Sequence, residues 1–84
     1  MSKKLFTSEQ KLSRPEIAQY IRKIADGVES GEINLKSGQN SIDLHLSDMP
    51  ELEVQVEQEA DGEKSIEIEI EWKEGETEEG LEIN

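Results

Sequence analysis

From Glu51 to Lys73 apolar and polar residues alternate on both sides of an Asp-Gly pair: Leu52, Val54 and Val56 before it, Ile66, Ile68, Ile70 and Trp72 after it. Successive side chains of a strand point to opposite faces, so a period of two gathers these residues onto one surface. The other surface collects Glu51, Glu53, Glu57, Glu67, Glu69 and Glu71. The segment predicts a β-hairpin with one oily and one acidic face, and parity also selects its turn. Inward residues are even-numbered on both strands, so opposed positions must sum to an even number. A two-residue Asp61-Gly62 turn breaks that rule, since it sets Val56 against Glu67. A three-residue loop, Ala60-Asp61-Gly62 with Gly62 left-handed, instead pairs Val56 with Ile66, Val54 with Ile68 and Leu52 with Ile70.

Upstream, Ile33 and Leu35 point inward at odd positions, whereas Ile42, Leu44 and Leu46 do so at even ones. Their sums must be odd. Leu35 opposite Ile42 gives a two-residue Gly38-Gln39 turn, with Gly where a type II′ turn wants it. The odd-length connection from Ser47 to Glu51 would set Leu46 opposite Leu52, with Pro50 at a strand entrance, where its missing N–H is tolerated. Before these strands, Ser13-Arg14-Pro15-Glu16 has the S-x-x-E spacing of a capping box. Ile17, Ile21, Ile24 and Val28 follow at helical spacing, predicting an amphipathic helix from Arg14 to Glu29. Gly27 weakens its last turn and Gly31 is its stop signal. A short first strand over Lys3 to Leu12 would place Phe6 and Leu12 on one face, although Ser8 and Gln10 share that face. The predicted fold is α+β: a single amphipathic helix packed on a four- or five-stranded antiparallel sheet, a meander after the helix. Residues 1–73 are expected to form one domain, followed by an acidic, disordered tail over 74–84.

Eighty-four residues suffice for one modest core, and without cysteine no disulfide or thiolate metal site can support it. The net charge of −12 is unevenly placed. Residues 1–50 balance seven basic side chains against seven acidic ones, while residues 51–84 set fourteen acidic side chains against Lys64 and Lys73. All of the net charge therefore lies on the last two strands and the tail. Direct nucleic-acid binding needs a basic surface and is not expected. No apolar run reaches the roughly 18 residues of a spanning helix, and Met-Ser-Lys-Lys does not lead into a secretory signal. The expectation is a cytoplasmic protein without a membrane partner.

His45, the sole histidine, is expected outward on its strand beside Glu53, which faces Glu69. Such a row offers zinc-competent atoms, but an exposed His beside a carboxylate is commoner than a site, so no metal is assigned. Trp72 is expected to close the far end of the core. With no Cys and one outward His, no nucleophilic constellation assembles. Carboxylates on an open face are not held protonated by desolvation. No catalytic residue and no cofactor are assigned.

Lys4-Leu5-Phe6 leading to Ser8-Glu9-Gln10-Lys11-Leu12-Ser13, the helix opening Arg14-Pro15-Glu16-Ile17-Ala18, and alternating strands that close on Glu71-Trp72-Lys73 resemble the amphi-Trp domain, a family of small prokaryotic proteins. The resemblance covers residues 3–73. It implies one compact domain with Trp72 at a defining structural position, and it brings no site residues. The expected function is that of a non-enzymatic interaction module, a monomer or weak homodimer. Its acidic face (Glu51, Glu53, Glu57, Glu67, Glu69, Glu71) would meet a basic protein. The alternatives are a structural or salt-adapted protein with no partner there, or a weak divalent-cation binder. Glu outnumbers Asp seventeen to four and seven Lys remain, which fits salt adaptation poorly.

Overall fold

The computed structural model describes residues 2–73. Helix α1 (Arg14–Ser30) is followed by strands β1 (Glu32–Ser37), β2 (Asn40–His45), β3 (Glu51–Gln58) and β4 (Lys64–Glu71). The chain groups into two units, Met1–His45 and Leu46–Asn84. The described strands form two two-stranded antiparallel sheets, β1 with β2 and β3 with β4. The class is α+β, as expected.

In the first unit α1 opens as its sequence dictates. Ser13 is the extended N-cap; the Glu16 N–H donates to Ser13 Oγ at 3.3 Å and the Ser13 N–H donates to Glu16 Oε1 at 2.9 Å. Two of the orphan donors of a helix start are thereby satisfied. The Ser13 contacts also hold the Glu16 carboxyl below its ordinary pKa, the backbone hydrogen bond contributing most. The helix runs one residue past its predicted end, to Ser30. Gly31 caps it at φ 89°, its N–H donating to the carbonyls of Gly27 and Val28 at 2.8 and 3.2 Å.

Gly27 has a role beyond propensity. A Cβ there would lie 2.7 Å from Ile33 Cγ1 and 2.9 Å from the Glu32 carbonyl oxygen, so the glycine lets the helix backbone close onto β1. Ile33, opposite Leu44, is the buried hydrophobic residue that results, at 8% exposure. Leu35 faces Ile42, and the Gly38-Gln39 turn has positive φ at Gly38 alone, which fits type II′.

In the second unit the even-sum register holds along the whole ladder: Leu52 with Ile70, Val54 with Ile68, Val56 with Ile66. The loop is Ala60-Asp61-Gly62. The Glu59 N–H donates to the Glu63 carbonyl at 2.8 Å, the Gly62 N–H donates to the Glu59 carbonyl at 2.9 Å, and φ of Gly62 is 95°. Asp61 Oδ1 accepts from the Glu63 N–H at 3.0 Å, an Asx-type brace for the turn.

Two expectations about the sheet need correction. Residues 3–12 form no strand, consistent with the polar Ser8 and Gln10 that interrupt the face shared by Phe6 and Leu12. The four strands make two two-stranded sheets in place of one meander. Strand β2 ends at His45 and β3 starts at Glu51, which leaves Leu46, expected opposite Leu52, outside both strands. The intervening Ser47-Asp48-Met49-Pro50 is turn-rich, and Pro50 has no N–H to give a ladder. Trp72 lies one residue beyond β4 and is half-buried. The expected disordered tail falls on residues 74–84, outside those described.

Candidate acidic interface

The hairpin's twist and parity put the odd-numbered residues of β3 and β4 on one side, and the ladder sets Glu51 opposite Glu71 and Glu53 opposite Glu69. Glu67 faces Gln55, and Glu57 faces Ser65. All six predicted glutamates are exposed on this face. Directly opposed like charges repel across a sheet. The effect registers at Glu69, whose carboxyl is pushed above its ordinary pKa: a hydrogen bond shared with Glu53 dominates, and the charges of Glu71, Glu53 and Glu67 add to it. Gln55 Nε2 donates to Glu53 Oε2 at 3.0 Å, fixing one oxygen of that pair. No basic residue stands among the six. Lys64 lies at the loop end opposite Gln58. Ionised carboxylates only accept hydrogen bonds, so the row is chemically suited to ammonium or guanidinium donors.

His45 has a different carboxylate partner from the one expected. Its Nε2 lies 3.2 Å from Glu32 Oε2, across the β1–β2 pair, with both side chains largely exposed. Among the described residues no three His, Asp or Glu side chains come together as a metal site. The six glutamates span one ladder without converging on a point.

The sequence reading missed an open groove of about 850 Å³ within the first unit, between α1 and the β1–β2 hairpin. Its walls are Leu12, Tyr20, Ile24, Ile33 and Leu35, with Lys23 and Lys36 beside Glu16 and Asp43. The signal was present: Glu16, Tyr20, Lys23, Ile24 and Gly27 recur at three- and four-residue steps and so share one side of the helix. Across β1–β2, Asn34 Nδ2 donates to Asp43 Oδ1, which occupies that acid. Among the described residues no polar or charged side chain is buried.

A capped helix laid on one hairpin, followed by a second hairpin with an apolar and an acidic face, defines a small α+β domain of the amphipathic-strand kind. The model of the Amphi-Trp domain matches residues 1–84, the whole chain, and the protein belongs to that family. No curated protein and no solved structure matches the chain significantly. Among the described residues no helix is long and apolar enough to cross a membrane.

Proposed function

We propose that this protein is a non-enzymatic interaction module whose acidic sheet face binds a basic protein segment. The observation that carries the reading is the β3–β4 register, which stacks Glu51 on Glu71 and Glu53 on Glu69 on a fully open face. Opposed carboxylates cost stability when nothing cationic lies between them, and a bound Lys or Arg row turns that repulsion into charge-assisted hydrogen bonds. The confinement of the net charge to residues 51–84 supports the same reading, because solubility alone does not require so uneven a distribution.

The test is capture from lysate of the source cells with the wild-type chain and with Glu53→Lys, Glu67→Lys and Glu69→Lys combined. Basic proteins held by the wild type are expected to be lost by the triple variant. Retention of every partner by the variant discards the proposal.

A further inference from the structure

The tripeptide Ala-Asp-Gly occurs at 25–27 and again at 60–62, and the fold puts the two copies in opposite settings. Asp26 and Gly27 lie inside α1, whereas Asp61 and Gly62 belong to the loop between β3 and β4. We propose that Asp61 is a site of spontaneous isoaspartate formation in the folded protein, and that the helix withholds Asp26 from the same reaction. The inference rests on bonds within each element and is independent of the function proposed for the acidic face.

The chemistry needs only water. Glycine suits it because no Cβ obstructs the approach of its own nitrogen. That nitrogen attacks Cγ of the preceding aspartic acid: a C–N bond forms, the C–O bond to the carboxyl hydroxyl breaks, and the hydroxyl leaves with the amide proton as water. The product is a cyclic imide. Water then adds at one of its carbonyls. Addition at Cγ restores aspartate, while addition at the main-chain carbon routes the backbone through Cγ and leaves the carboxylate on Cα. Nothing is oxidised or reduced and the charge is unchanged. The extra backbone carbon enters the loop Ala60-Asp61-Gly62, on which the β3–β4 register depends.

Ring closure makes two demands on the fold: the carboxyl must lie over the following peptide, and the backbone must be free to turn until the Gly nitrogen meets Cγ. At Asp61 the first is met. Its Oδ1 accepts from the Glu63 N–H at 3.0 Å, which folds the carboxyl forward across the Gly62 peptide. The second requires release of the Gly62 N–H from the Glu59 carbonyl, to which it donates at 2.9 Å. From Glu59 to Glu63 only Ala60 is apolar, so the loop brings no large apolar side chain to hold it shut, and loops of this kind open at low free energy.

At Asp26 both demands fail. The helical ψ fixes the peptide, and an interior helix N–H is committed to the carbonyl four residues back. The Gly27 carbonyl accepts from the Gly31 N–H at 2.8 Å and from Ser30 Oγ at 3.2 Å. The Gly27 backbone also closes onto β1, where a Cβ would meet the Glu32 carbonyl oxygen at 2.9 Å. Turning this peptide means undoing the last turns of α1 together with their contact with β1.

The test ages the full chain at neutral pH, folded and in urea, and locates isoaspartate by electron-transfer fragmentation of its peptides. In the folded chain it should accumulate at Asp61 at least about tenfold faster than at Asp26, because each site reacts only while its backbone is open. In urea the identical tripeptides should react at similar rates. No isoaspartate at Asp61 in the folded chain, or equal accumulation at both sites there, overturns the inference. So does a difference that persists in urea, which would belong to the neighbouring residues and not to the fold. Asp61→Glu enlarges the ring that must close and should remove most of the groups counted by a protein isoaspartyl methyltransferase; a count unchanged from wild type overturns the assignment to Asp61.

Discussion

Gly27 shows how a residue that looks unfavourable by propensity is required by packing. Ala at a helix interior is worth about 1 kcal/mol over Gly. Here the added methyl meets the Glu32 carbonyl oxygen at 2.9 Å, and backbone cannot rotate aside as a side-chain tip can. Overpacking of this sort costs about 1–3 kcal/mol and exceeds the propensity gain. Gly27→Ala is expected to lower stability by about 1 kcal/mol in urea unfolding. A stabilised variant would show that α1 does not lie this close to β1. Nothing in the periodicity of Ile17, Ile21, Ile24 and Val28 reveals this approach, because it depends on where β1 returns along the helix. His45 is a similar case. Its outward position was legible, but its neighbour Glu32 belongs to the β1–β2 pair, whereas the expected Glu53 lies in the other hairpin.

At the scale of elements, local signals were the legible ones. The capping box at Ser13 and Glu16, the left-handed Gly31, the Gly38-Gln39 turn and the bulged loop at Gly62 all follow from residues within a few positions of each other. Parity states which registers are allowed across the Ser47–Pro50 connection without stating that the strands on either side of it meet, so the grouping of the four strands into sheets was not legible. The acidic ladder followed from parity within one hairpin, which is why all six glutamates fell where expected.

That ladder gives the hairpin a pH dependence of known sign. Glu69 has a raised pKa in the folded state, so the native protein binds more protons there than the unfolded chain does. Its contribution to stability is full below its ordinary pKa and is lost as pH rises through the raised one. Glu16 has the opposite sign: its contribution is in place above its ordinary pKa and is lost as pH falls through the lowered one. Acidification from neutral pH toward the ordinary carboxylate range should therefore raise the melting temperature. Glu69→Gln should reduce that rise. Profiles of wild type and variant that superimpose would contradict the coupling between Glu53 and Glu69.

For the whole molecule, the division of labour is between a near-neutral first unit, which supplies the helix and the buried Ile33, and a hairpin whose two faces differ in chemistry. The same alternation that gives the hairpin its apolar side gives it an acidic side on which all six glutamates are exposed. Because the proposed recognition is electrostatic and exposed, it is subject to screening, with a Debye length of about 10 Å at 0.1 M salt and about 3 Å at 1 M. The most direct measurement is capture of partners from source-cell lysate at these two salt concentrations. Basic proteins are predicted on the full chain at the lower salt and their release at the higher. Retention of no basic protein at low salt, or of the same set at both, would contradict the account.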